Sequence, residues 1–133
     1  MMMSGDDNTL EQLLESALGG ESAGVRNRLD DLQQQGRLPE RLDEDAVEKV
    51  TNTAALMLTI GQSEQVCVIL EALIDRCGED PVLLNNLAFA HLIGGRLDRA
   101  VELWERASQI APDCPVIAGN LQRARNRIAD GSR

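Results

Sequence analysis

PVLLNNLAFAHLIGGRLDRAVELWERASQIAPDC, Pro81 to Cys114, is the stretch from which the fold is read. Asp80, just before it, can accept hydrogen bonds from the free amides of a helix start, and Pro81 sits where a missing N–H costs nothing. Leu84, Leu87, Ala88 and His91 then recur at intervals of three and four residues, so they line one helical face. Gly94 and Gly95 end that helix, because glycine accepts the left-handed backbone that a tight exit needs. Leu97, Ala100, Val101, Trp104 and Ala107 form the inward stripe of a second helix. The small Ala88 and Ala100 let the two backbones approach closely. Pro112 and Pro115 punctuate the junction to the C-terminal segment.

The same stretch resembles one tetratricopeptide (TPR) repeat, a helix, turn, helix unit that stacks on copies of itself. That repeat places a large apolar residue, Leu, a small residue, an aromatic, Ala, an aromatic and Pro at fixed offsets. Leu84, Leu87, Ala88, His91, Ala100, Trp104 and Pro112 occupy them here, with Ala107 as a second small residue and His91 as the one departure in kind. The resemblance implies an all-α fold, a TPR-like right-handed stack of antiparallel helix pairs. It also implies a binding module that performs no chemistry.

A degenerate copy precedes the stretch over residues 47–80. Ala54 falls opposite Ala88, Met57 opposite His91 and Gly61 opposite Gly95, while Val66, Leu70 and Leu73 fall opposite Ala100, Trp104 and Ala107. Thr53 and Gly78 stand where Leu and Pro are expected. The glycine turn and both stripes agree together, so the segment is read as a helix pair, with Asp43 or Asp45 as the cap of its first helix.

Further toward the N-terminus, residues 8–45 read as a helical hairpin and linker. Leu10, Leu13, Leu14, Ala17 and Leu18 define a short amphipathic helix from Asn8 or Thr9, stopped by Gly19 and Gly20. An isolated helix of this length is marginal in water, so it must dock: on the chain's own core, in a swapped or dimeric arrangement, or in a binding groove. A second helix is expected over Ser22 to Gln35, with Val25, Leu29 and Leu32 inward and Gly36 ending it. Residues 1–7 are polar, acidic and terminal, and disorder is expected there. On the other side, residues 115–130 predict a capping helix with Val116, Ala118, Leu121, Ala124 and Ile128 toward the body and a polar outer side.

Composition narrows the function classes. The 133 residues contain one Phe, one Trp and no Tyr, so aliphatic side chains must fill the interior, which suits packed helices. A net charge of −9 argues against nucleic acid, since binding a polyanion begins with neutralising its phosphates. The charge is uneven: residues 1–80 hold 17 acids and 6 bases, whereas residues 81–133 hold 5 acids and 7 bases. The plainer reading of that asymmetry is solvated helix faces of uneven composition; head-to-tail association, or a basic end meeting an acidic partner, is the alternative. The apolar stretches are broken by charge too often for membrane insertion, and the start lacks the pattern of a signal peptide, so a cytoplasmic location is expected. Cys67, Cys77 and Cys114 show no spacing that suggests a disulfide framework or a metal site, and Cys67 reads as a small buried residue. No catalytic or cofactor-binding motif occurs, so neither an enzyme nor a cofactor is expected. The pairs Asp30 and Asp31, and Glu79 and Asp80, read as solvated acids.

Stacked helix pairs generate a concave surface lined by the first helix of each pair. Asn52, Asn86 and Asn120 recur at 34-residue intervals in such helices, and the resemblance implies that each faces the groove and bonds a peptide backbone. Asn85, Phe89, Leu92 and Ile93 should line the same groove, with Arg123 and Arg127 beyond them. Phe89 falls off the Leu84, Leu87, Ala88 stripe, which marks either a greasy surface for a partner or burial under the hairpin or a second copy. The expected function is to hold a peptide or amphipathic helix of another protein. A self-associating structural protein, homo-oligomeric through the hairpin, is the alternative, and a chaperone for an exported subunit is a more specific form of the first. The family's lysine and asparagine clamp for acidic chaperone tails is not matched, as Thr51 and Ala55 stand in its places.

Overall fold

A computed structural model of the chain describes residues 10–18 and 24–131, and within them lie seven helices and no strand. They are α1 (Leu10–Leu18), α2 (Val25–Gln34), α3 (Glu44–Thr59), α4 (Ser63–Cys77), α5 (Pro81–Ile93), α6 (Leu97–Ile110) and α7 (Pro115–Ala129). The protein is all-α, as its aliphatic, glycine-punctuated sequence leads one to expect. The expected disorder of residues 1–7, the helix start at Asn8 or Thr9, the stop at Gly19 and Gly20 and the Ser22 start lie outside the described residues.

Local chemistry sets the helix limits. The Asp80 carboxylate accepts from the amides of Val82 at 2.8 Å and Leu83 at 3.3 Å, and Pro81 takes the first helical turn. Asp43, not Asp45, caps α3 by accepting from the Ala46 amide at 2.8 Å. Each such cap satisfies amides that the helix itself leaves unbonded, at about 1 kcal/mol.

The two exits into the next helices are the same structure 34 residues apart. Gly61 and Gly95 carry φ of 86° and 85°. Around the first, Ile60, Gly61 and Gln62 donate to the carbonyls of Leu56, Leu58 and Met57. Around the second, Gly94, Gly95 and Arg96 donate to Ala90, Leu92 and His91. These bonds use up carbonyls stranded at the helix end and reverse the chain within three residues.

Packing runs from neighbour to neighbour. The pair α5 and α6 is packed most extensively; α4 lies on α5, α6 on α7, and α3 on both α4 and α5. The N-terminal helices join the same body, α1 on α3 and α2 on α4. Leu13 and Leu14 of α1 and Val25, Leu29 and Leu32 of α2 are buried in one apolar cluster with Leu70, Leu84, Trp104 and Leu121. Each such side chain removed from water contributes about 1.5–3 kcal/mol, so the hairpin is part of the core.

Three readings of the sequence need correction. In α7, Ile117 is buried while Val116 is 61% exposed and Ala118 is exposed. The core face of α7 is Ile117, Leu121, Ala124 and Ile128, whose spacings of four, three and four keep one side inward. Asp30 is not simply solvated: it accepts from Arg76 Nε at 2.9 Å and joins α2 to α4. Glu79 likewise pairs with Arg106 across the α4–α5 connection and α6. Among the described residues, no helix is long and apolar enough to cross a membrane.

Candidate functional site

The helix that departs most from ordinary amphipathic design is α5. Leu83, Leu84, Leu87, Ala88, Ala90 and His91 are buried, yet its other side also carries apolar residues: Val82, Phe89, Leu92 and Ile93. Val82 and Ile93 are 42% and 56% exposed, and Phe89 and Leu92 are half-buried. The Phe89 ring meets Trp104 edge-on, centroids 5.1 Å apart, so one side of it rests on the core. Asn86 shares this region, with its side-chain N–H₂ returned to the Val82 carbonyl at 2.8 Å.

The asparagines do not behave alike. Asn52 is exposed on α3, Asn86 is half-buried on α5, and Asn120 is buried on α7. Spacing places Asn120 against a ligand, but both ends of its amide are bonded within the protein: Nδ2 donates to Asn85 Oδ1 at 2.9 Å, and Oδ1 accepts from Arg123 Nη2 at 2.5 Å. Asn85, also expected in the groove, accepts in addition from the indole Nε1 of Trp104 at 2.7 Å. One carboxamide oxygen thus ties α5 to α6 and to α7. The physical reason is the indole N–H, which is buried with its ring and needs an acceptor. That need is the available sequence signal: a core Trp in a chain poor in polar core residues must find an acceptor nearby.

Arg123 and Arg127 are exposed on α7 and share a face with Val116. The Arg123 guanidinium lies back along its helix over Gly119, where an added β-carbon would stand 3.5 Å from Nη1. Arg125, on another side, pairs with Glu105 of α6 at 2.9 Å. Between the N-terminal ends of α3 and α5 is an open cleft of ≈ 570 Å³, lined by Leu42, Glu44, Asp45, Glu48, Thr51 and Val82 among others. A second open cleft, ≈ 430 Å³, lies where α4, α5 and α6 meet and is bordered by Glu71, Asp75, Arg99 and Arg106.

No family model, curated protein or solved structure matches this chain.

The cysteines are all free. Burial pushes the Cys67 thiol up, with Arg96 opposing, and pushes the Cys77 thiol up, with Arg76 opposing. A raised thiol is less available as thiolate, the nucleophilic form. His91, in the slot that the resemblance gives to a packed aromatic, is buried at 7% exposure. On the surface, an apolar strip on α5 is flanked by a polar edge on α3 and by a guanidinium pair on α7.

Proposed function

We propose that this chain is a TPR-like protein-interaction module, in which α3, α5 and α7 supply the first helices of successive units and together hold a peptide or amphipathic helix of another protein. The observation that carries the reading is the second apolar side of α5. A helix apolar all round belongs in an interior, and here Val82 and Ile93 stand in water at its two ends. A partner segment laid across Val82, Phe89, Leu92 and Ile93 would complete the burial. Asn52 and Asn86 offer amides to its backbone, and Arg123 and Arg127 offer charge at one edge. The repeated exit at Gly61 and Gly95 supports the stack, since the same backbone bonds recur at the interval of the sequence repeat. The acidic chain suits protein rather than nucleic acid as the partner.

Selection from a displayed library of random peptides tests this. Enriched peptides should bind the chain and lose at least ten-fold in affinity with Ile93→Asp, a surface change expected to leave thermal stability in place. A library that fails to enrich, or binders indifferent to Ile93→Asp, would contradict the reading.

A self-associating protein is favoured by a different observation. Ile110 and Val116 are 46% and 61% exposed near the α6–α7 junction, and Leu56 and Ile60 are 48% and 56% exposed toward the end of α3. A stack that stops on apolar side chains can continue into another copy. Light scattering that gives a mass rising with concentration, and a monomer with Val116→Asp, would favour this alternative.

A further inference from the structure

His91 and Arg96 are joined twice. The Arg96 backbone N–H donates to the His91 carbonyl at 2.8 Å, as the turn requires, and Arg96 Nε donates to His91 Nδ1 at 2.8 Å. The second bond fixes the state of the ring. A nitrogen that accepts from a guanidinium must carry a lone pair, so Nδ1 is unprotonated and the proton of the neutral imidazole sits on Nε2. Nε2 points toward Glu71 Oε2 of α4 at 3.4 Å, a long contact that leaves this buried nitrogen without a close hydrogen-bond partner.

The guanidinium reaches further than the ring. Its Nη1 pairs with Glu64 of α4 at 3.0 Å, its Nη2 lies 3.6 Å from the Cys67 sulfur of α4, and its Nη1 lies 3.4 Å from the Gly94 carbonyl. One arginine therefore links the exit of α5, the entry of α6 and the adjoining side of α4. At the equivalent turn of the earlier pair, Met57 and Gln62 share the backbone bond alone.

We propose that His91 and Arg96 form a proton-released latch: the neutral imidazole holds Arg96 in place, and the imidazolium ejects it, loosening the α5–α6 turn and its seam with α4. Protonated Nδ1 would present a donor to a donor and a cation to a cation. The groups facing the ring from each packed element set the balance. Glu71 of α4 favours the imidazolium; burial, Arg96 of the turn and Arg99 of α6 disfavour it, and the net effect lowers the ring's pKa. Glu64 of α4 does not hold Arg96 against the imidazolium, since their pair is open to solvent and screened. Cys67, a neutral thiol at ordinary pH, loses its cover when Arg96 leaves. The device stands apart from the proposed binding strip, because the ring lies on the buried side of α5.

The chain has one His and one Trp, so each supplies a single probe in the intact protein. Nitrogen-15 NMR of the full chain, followed from about pH 8 to about pH 4, spans the range in which an imidazole titrates. Near neutrality the ring should appear as the Nε2–H tautomer. Its midpoint should lie below that of a free imidazole, and in the same step the Arg96 Nε–H resonance should move to the position of a solvent-exposed arginine and the Gly95 and Leu97 amides should shift, while the Trp104 Nε1–H signal persists. Arg96→Met should raise the midpoint and remove the accompanying step at the Gly95 and Leu97 amides. The proposal is overturned by an Nδ1–H tautomer at neutral pH, by an Arg96 Nε–H resonance that ring protonation leaves unmoved, or by loss of the indole signal in the same step. The last would mean the whole domain unfolds.

Discussion

The pair α3–α4 and the pair α5–α6 reverse the chain through the same three backbone bonds, yet Met57 and Gln62 stand in the first where His91 and Arg96 stand in the second. Gln62 leaves its Oε1 buried without a partner among the described residues, whereas Arg96 engages a ring nitrogen, a carboxylate and a sulfur. The second inward stripe differs in the same direction. Leu70 fills its slot with an apolar side chain; Trp104 brings an N–H that Asn85 must satisfy. Apolar periodicity sets the shape of a helix pair, and that shape can be filled silently or with polar groups that then recruit others. The second pair took the polar route. It thereby acquired its ties to α7 and to α4, together with the one imidazole of the chain.

The contrast breaks most visibly at Trp104. Trp104→Ala should cost about 3–5 kcal/mol in urea unfolding, through the lost ring and the cavity it leaves. Leu70→Ala, at the matching position, should cost about 2–5 kcal/mol and leave the remaining hydrogen bonds undisturbed. If the two losses proved equal and small, the second pair would not be the better-packed one. Next in size is Asn85→Leu, which orphans the buried indole N–H and should cost about 1–3 kcal/mol. The same change should release Asn120, detectable as faster exchange of its side-chain amide. An unchanged unfolding midpoint would show that the indole finds another acceptor.

A pH series sharpens the comparison further. The folded pKa of His91 is lowered, by burial first and then by Arg96, so between that value and the unfolded one the unfolded chain binds the proton more readily. Stability therefore rises with pH across this window: the contribution is present above the unfolded pKa and is lost as pH falls through the folded pKa. His91→Met, which copies Met57 of the first pair, should flatten that slope. A slope unchanged by this substitution would assign the pH dependence to carboxylates elsewhere. The smallest effect is expected at Gln62→Met. Removing an unpaired buried oxygen should hold stability within about 0.5 kcal/mol or raise it. A clear loss would reveal a partner for Gln62.

Much of this fold is legible in spacing. Leu84, Leu87, Ala88, Val25, Leu29 and Leu32 are buried as their intervals of three and four predict, because those intervals place side chains on one side of a helix whatever surrounds it. Glycine punctuation is equally legible, since Gly61 and Gly95 adopt a backbone few other residues tolerate. Periodicity misplaces Val116 because Ile117 and Val116 are both apolar, and only contact with α6 decides which of them turns inward. The candidate site is less legible. Position in the repeat says that Asn85 and Asn120 lie on first helices, but it does not say that a neighbouring indole will claim the Asn85 oxygen or that Asn120 will bond to Asn85 and Arg123. Hydrogen-bond demand comes from packing between helices, and no interval within one helix encodes it. The ion pair of Asp30 with Arg76 is hidden for the same reason: its partners are 46 residues apart and meet only once α2 lies on α4.

If α5 has an uncovered working side that belongs with α3 and α7, a bound partner must register on all three helices. Amide chemical-shift mapping tests this most directly, using a peptide selected on the chain and titrated into the isotope-labelled protein. The predicted result is a continuous set of shifts through Asn52, Asn86, Ile93 and Arg123, with Glu71 and Arg106 on the other side left still. Shifts centred on Glu71 and Arg106, with Ile93 unmoved, would contradict it.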